Sequence, residues 1–186
     1  MLMLASKSPR RRQLLEQLGI AFSVIDIDVP ENRAAGETAL QYVRRVSRDK
    51  AYAGLSKAAP DHVVLAGDTE VVLDDEVFGK PRDADDAARM LRRLSGRQHD
   101  VTSVIWLVDE QRVISADCLT TVQFDTLGEA DIAAYVATGE CCGKAGAYAI
   151  QGRAAAFISD IQGSYSNVMG LPLYETASVL RAFGLL

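Results

Sequence analysis

Residues 2–19, LMLASKSPRRRQLLEQLG, constrain this chain more than any other stretch. A short apolar run at 2–5 reads as a buried strand. It passes through a turn of small residues directly into a helix that carries its own start and stop signals. Ser8 suits the N-cap, and Pro9 suits the first helical position, where a missing N–H costs nothing. Leu14, Leu15 and Leu18 recur at helical spacing, and Gly19 can end the helix. Three arginines, Arg10, Arg11 and Arg12, stand in the first turn. The helix N-terminus already carries partial positive charge, so together they cost the empty helix roughly 1–3 kcal/mol, at ~0.3–1 kcal/mol each. That expense asks for an explanation.

The rest of the chain alternates irregularly between the two periodicities. Residues 21–27 (AFSVIDI) alternate as a strand does. Thr38 and Gln41 have capping-box spacing for a long helix reaching about Leu55. HVVLA at 62–66 reads as a strand, GDTE as an interruption, and VVL at 71–73 as its resumption, with Asp74-Asp75 in a turn. Asp83 can cap a helix through Leu94, ended by Gly96. Residues 101–108 and 113–124 form an expected hairpin around DEQ. Thr126 and Glu129 repeat the capping-box spacing for a helix ending near Gly139. A glycine-rich stretch, CCGKAGAYAIQG, precedes a strand at 155–161, and GSYSNVMGLP leads into a last helix at about 172–183. Strands and helices mix without strict βαβ alternation, which predicts an α/β fold with a mixed sheet. At 186 residues, with no repeat, low-complexity tract or long linker, the expectation is a single domain over 1–186.

Charge and cysteine usage exclude several classes. The net charge of −5 argues against a protein that coats nucleic acid, since duplex binding depends on many cations, and no basic recognition helix is apparent. An arginine cluster on an acidic chain suggests a local anion site instead. The three cysteines, Cys118, Cys141 and Cys142, are odd in number and include no CxxC. They read as a reduced, cytoplasmic pattern. His62 and His99, the only histidines, make a zinc site unexpected. MLMLA is short for a signal-peptide core, its positive charge follows it, and no apolar run is long enough to span a membrane.

Six places could carry chemistry. The strand, turn and helix N-terminus at 5–12 can present free N–H groups and the helix dipole to an anion, with arginines adding bidentate bonds. The same arginines also suit a solvated basic face, and Ser6 and Ser8 beside the turn favour phosphate. Asp68 and Thr69, in LAGDTEVV, suit either metal or water handling or an ordinary turn. Lys50 lies seven residues after Val43, ~20° off the same helical face. It can therefore sit beside the apolar stripe and reach a phosphate, or snorkel to solvent. Lys80 lies between Gly79 and Pro81, a close-approach glycine and a stiffening proline. Glu31 sits in a polar loop with Asn32 and Arg33, where a solvated carboxylate is the ordinary reading. Gln151, in GKAGAYAIQG, offers donor and acceptor together, as the edge of a base requires. The alternative there is a strand softened by glycine.

Taken in order, ASKSPRRRQLLEQLG, PENR, YVRRVSRDKA, LAGDTEVVL, FGKPRDADDAARML, LSGRQHDV, YVATGE, GKAGAYAIQG and GSYSNVMGLPL resemble the Maf family of nucleoside triphosphate pyrophosphatases along nearly the whole chain. Within the family the chain looks like the branch acting on dTTP and UTP. The sister branch, which takes 7-methyl-GTP, typically has Trp, Gln and Glu where this chain has Arg10, Thr69 and Gln151. Two departures are AGDT in place of GADT, and a cysteine pair before GKAG.

The resemblance implies an elongated, curved mixed sheet flanked by helices, with two lobes around a central cleft. It implies hydrolysis of a nucleoside triphosphate to the monophosphate and pyrophosphate, with a divalent cation, Mg²⁺ or Mn²⁺, as cofactor. It assigns Asp68 as proton acceptor, and Glu31 as a metal ligand, with Asp68 adjoining the metal. Arg11, Lys50 and Lys80 become triphosphate clamps, Ser6 and Ser8 hydrogen-bond donors to the phosphates, and Arg10, Thr69 and Gln151 the readers of the base. Arg12 is left as clamp or solvent-facing side chain. A homodimer is common in the family, and a soluble cytoplasmic protein with no membrane or nucleic-acid partner is expected. Two competing readings are a purine-directed pyrophosphatase of the inosine triphosphate type, and a nucleotide-binding regulator of septum formation that needs no turnover.

Overall fold

The computed structural model describes residues 1–186. In chain order the elements are β1 (Leu2–Ala5), α1 (Pro9–Glu16), β2 (Phe22–Ile25), α2 (Ala39–Leu55), β3 (Val63–Leu73), β4 (Glu76–Phe78), α3 (Ala84–Leu94), β5 (Gln98–Val108), β6 (Val113–Phe124), α4 (Glu129–Ala137), β7 (Ile158–Gln162), α5 (Tyr165–Met169) and α6 (Leu173–Ala182). Seven strands make one mixed sheet in the order β2-β1-β3-β5-β6-β7, with β4 paired to β3. β1 runs parallel to both β2 and β3, while β4 and β7 run antiparallel to β3 and β6. No helix is long and apolar enough to cross a membrane.

Where local chemistry is strong, it sets the element ends. Ser8 caps α1, its Oγ accepting from the Arg11 N–H at 3.4 Å, and Pro9 follows. The Thr38 hydroxyl accepts from Gln41 N–H at 3.2 Å, and the Gln41 side chain accepts from Thr38 N–H at 2.8 Å, completing the box that starts α2. Asp83 Oδ1 accepts from Asp86 N–H at 2.8 Å at the start of α3. Asp74 and Asp75 both take left-handed φ, 54° and 61°, in the tight turn between β3 and β4.

Elsewhere tertiary pairing overrides local signals. β3 is continuous through Gly67, Asp68 and Thr69, not two half-strands. A Cβ on Gly67 would lie 3.2 Å from both Ile105 Cγ2 and the Val104 carbonyl oxygen, so the glycine serves close strand approach rather than a turn. α4 begins after Gly128, not at Thr126, because Asp131 reaches back to accept from Gly128 N–H at 3.2 Å. The strand expected from residue 155 starts at Ile158, and residues 153–157 form a 3₁₀ turn. The glycine-rich segment is neither strand nor helix but turns around a short 3₁₀ stretch at 145–147. The last helix, α6, lies where 172–183 predicts it, and the segment leading into it holds one further short helix, α5, set off by Gly170 at φ 118° and by Pro172.

The chain folds as two compact units. The first comprises Met1–Thr69, Ser103–Cys118 and Gly170–Leu186; the second comprises Glu70–Thr102 and Leu119–Met169. One core cluster of the first unit is Ala5, Ile27, Ala51, Val64, Ala66 and Val108. The second unit packs Phe78, Leu91, Leu94, Phe124, Tyr135 and Tyr148 together. His99 meets Phe124 and Tyr148 edge-on there, at 5.0 and 5.4 Å between ring centres.

Candidate active site

Helix α2 brings the first charged group into the first unit's interior. Its buried face includes Tyr42, Val43, Val46, Ser47, Lys50, Ala51 and Gly54. Gly54 lets the helix lie hard against the sheet, since a Cβ there would come within 2.8 Å of both Ala5 Cβ and Val64 Cγ1. Lys50 shares this face, one turn before Gly54. Its side chain, only 9 % exposed, does not snorkel. Instead Lys50 Nζ donates to Asp68 Oδ1 at 2.6 Å and also lies 2.6 Å from Glu31 Oε1. The two carboxylate oxygens are therefore no farther apart than twice that distance. Asp68 is buried, and its second oxygen, Oδ2, has no hydrogen-bond partner.

Glu31 belongs to an exposed loop, yet the loop is tied to α2. Tyr42 O–H donates to the Glu31 carbonyl at 3.0 Å, and Arg45 Nη2 donates to the Asn32 carbonyl at 2.8 Å. Arg45 also grips the Glu37 carboxylate through Nε at 2.7 Å and Nη2 at 2.9 Å. This pair, helped by the Ala34 N–H, pulls the Glu37 carboxyl down to about 2.

A second cluster surrounds Arg11. Its Nε donates to the Gly170 carbonyl at 2.7 Å and its Nη2 to Thr69 Oγ1 at 3.1 Å. Thr69 Oγ1 is in turn 2.7 Å from Ser103 Oγ. Ser6 Oγ accepts from Ser8 N–H at 3.1 Å and lies 3.5 Å from Arg11 Nη1. Ser6, Ser8, Arg11 and Thr69 thus form one hydrogen-bonded set, and Glu31, Lys50 and Asp68 another. The Asp68–Thr69 peptide bond joins the two. Arg10 is half-buried on the same first turn, whereas Arg12 faces solvent and pairs with Glu16 at 3.1 Å.

Lys80 and Gln151 lie in the second unit, both exposed. Their segments are neighbours within it, Gly146 N–H donating to the Gly79 carbonyl at 3.2 Å. Asp86 fixes the chain after Lys80, Oδ2 accepting from Arg82 N–H at 3.1 Å. Three contacts bracket Gln151. The Tyr148 hydroxyl is 2.9 Å from His99 Nε2, the Ala149 N–H donates to Tyr135 O–H at 3.1 Å, and the Arg153 N–H donates to Glu140 Oε2 at 2.8 Å. Cys141 and Cys142 remain thiols, and burial pushes Cys141 up.

Ser103 and the Gly170 carbonyl are participants that sequence reasoning missed. Ser103 sits inside the apolar strand run VTSVIW, and a carbonyl leaves no mark in a sequence.

The donors around Lys50 fit a hard divalent cation. They are carboxylate oxygens, one of them buried without a partner, and Mg²⁺ or Mn²⁺ is commonly held by one or two carboxylates with phosphates and water completing the shell. No group of three or more His, Cys, Asp or Glu forms an all-protein cage.

The mixed sheet flanked by helices, with a buried lysine set between two carboxylates, makes this an α/β protein. The family model described as Maf-like protein matches residues 1–183, and the chain belongs to that family. Among its relatives, the dTTP/UTP pyrophosphatase of Xanthomonas euvesicatoria is 57 % identical over 99 % of both chains. That of Methylococcus capsulatus is 52 % identical over 99 % of this chain and 91 % of the relative. That of Shigella sonnei is 50 % identical over 100 % and 94 %. A solved HAM1 protein from Coxiella burnetii superposes with a TM-score of 0.49 at 19 % identity, covering 97 % of this chain and 98 % of that one.

Proposed function

We propose that this chain is a nucleoside triphosphate pyrophosphatase that hydrolyses dTTP and UTP to the monophosphate and pyrophosphate, acting on the soluble nucleotide pool of the cytoplasm. The observation that carries the reading is the shared contact of Glu31 and Asp68 on Lys50, two acids and a cation within one turn of structure. Relatives named for this activity, at 50–57 % identity over nearly the whole chain, support it.

The chemistry follows from what each group offers. Water attacks the α-phosphorus and loses a proton, while the α–β anhydride P–O bond breaks and pyrophosphate leaves. Asp68 accepts the proton at Oδ2, the oxygen left without a hydrogen bond; before substrate binds, Lys50 holds Oδ1. Glu31, with Asp68 adjoining, would hold the divalent cation, which would neutralise charge on the phosphate oxygens. Arg11, Lys50 and Lys80 clamp the triphosphate, Arg11 as a fork and the two lysines as point charges. Ser6 and Ser8 add hydrogen bonds. Arg10, Thr69 and Gln151 select a pyrimidine, Gln151 matching the imide edge with one donor and one acceptor.

Pyrophosphate release from a panel of standard and modified triphosphates, with and without Mg²⁺, tests the substrate. Asp68→Asn tests the chemistry. It lowers kcat by roughly 10²–10⁴-fold, the usual worth of a general base, while a non-hydrolysable dTTP analogue still binds. Unchanged turnover in this variant removes Asp68 from the mechanism. A septum-formation effect that survived the substitution would be separate from catalysis.

A further inference from the structure

We infer that the divalent cation enters only together with the nucleotide, and that the protein alone keeps none, because Lys50 Nζ bridges the two acids that would hold it. The inference rests on the proposed hydrolysis, and concerns how its metal arrives. The position between Glu31 Oε1 and Asp68 Oδ1 is where a hard cation would bridge the two acids, and Lys50 Nζ stands there at 2.6 Å from each. The ammonium is no casual visitor. Its stem lies along the buried face of α2, its side chain is 9 % exposed, and Asp68's is 7 % exposed.

An ammonium so placed does two things. It neutralises two acids that would otherwise repel each other, and it repels a second cation over a short distance and at low dielectric. A free divalent ion must therefore displace Lys50 and leave that charge buried without a counter-ion. An ion carrying a polyphosphate brings the counter-ion with it. The ammonium then moves from carboxylates to phosphate, and the metal takes its place. The small acid count agrees. With no group of three or more His, Cys, Asp or Glu placed to hold a metal, the two carboxylates make a partial shell that phosphate oxygens would complete.

The test is Mn²⁺ binding followed by electron paramagnetic resonance of the free ion, on the full chain. For the wild type without nucleotide, little Mn²⁺ is expected to bind. Adding a non-hydrolysable dTTP analogue should retain Mn²⁺ with the protein beyond what the analogue alone holds. Lys50→Met should bind Mn²⁺ without nucleotide at least about tenfold more tightly than wild type, and Lys50→Met with Asp68→Asn should lose that gain. Wild-type Mn²⁺ binding as tight without nucleotide as with it, or no gain in folded Lys50→Met, overturns the inference. Should Lys50→Met not fold, the wild-type pair of titrations decides alone. Pyrophosphate release by the same wild-type preparation separates the two readings. Turnover with a tightly resident metal defeats only this inference, and metal behaviour as expected without turnover defeats only the proposed activity.

Discussion

His99 shows what burial does to a single ionisable ring. It is 3 % exposed, its Nε2 bonds the Tyr148 hydroxyl at 2.9 Å, and its Nδ1 has no partner. Loss of hydration pushes its pKa down to about 4 from 6.5. Between these values the unfolded chain holds a proton on His99 and the folded chain does not, so stability falls as pH drops through that window. At ~1.36 kcal/mol per unit, about 3 kcal/mol is lost by pH 4 on this account, and the loss levels off below that. Urea midpoints at pH 7.5 and 4.5 measure the slope, and His99→Gln should flatten it; an equal slope in that variant places its origin elsewhere. Legibility at this scale divides by chemistry. Lys50 and Arg11 stand out in the sequence because charge at unusual positions is visible there, whereas Asp68 by itself reads as an ordinary turn residue. Ser103 and Gly170 do not stand out, because a strand serine has many innocent uses and a backbone oxygen has no letter.

Elements place these residues, and the cleanest case is α2. Its start was legible from Thr38 and Gln41, a reciprocal pair that any sequence with that spacing can form. The same holds for Ser8-Pro9, Asp83 and the Asp74-Asp75 turn. The continuity of β3 was not legible, because Gly67 and Asp68 favour turns alone and are held extended by neighbouring strands. α4 starts later than the Thr126–Glu129 spacing predicts for a related reason: two acids can reach back, and Asp131 rather than Glu129 accepts from the capping N–H. How deeply α2 sits is decided at Gly54. Replacing it by Ala gains up to ~1 kcal/mol of helix propensity, but the new methyl must displace Ala5 Cβ and Val64 Cγ1, both at 2.8 Å. Overpacking of this kind costs about 1–3 kcal/mol. Gly54→Ala is therefore expected to melt lower than wild type and, by lifting Lys50 on the same face, to lose turnover beyond its loss of stability. An unchanged melting temperature with full activity would show that α2 has room to shift.

For the whole molecule, the chain passes between its two units after residues 69, 102, 118 and 169, and β3, β5 and β6 run through both. Three of the first unit's boundary residues, Thr69, Ser103 and Gly170, are those that bond Arg11 or one another. The basic turn that opens the chain therefore belongs to the folded state only when distant segments have come together, and an anion bound there is bound by the native chain alone. The Gly170 carbonyl and the Thr69 hydroxyl orient the Arg11 guanidinium. On the proposed function, a triphosphate brings negative charge to the helix N-terminus and offsets the repulsion that the arginines impose on α1. A ligand that binds only the native state adds RT ln(1 + [L]/Kd), about 2.7 kcal/mol at a hundredfold excess over Kd. For a chain of this length that corresponds to a rise of roughly 5–10 °C in melting temperature. A non-hydrolysable dTTP analogue with Mg²⁺ should give this rise. The analogue without Mg²⁺ should give less, and Mg²⁺ alone almost nothing, because Lys50 already occupies the space between Glu31 and Asp68. Melting curves under those three conditions check the order. No shift with saturating analogue and Mg²⁺ would mean that the arginine turn is a solvated basic face after all, and the expense of its charge would need another cause.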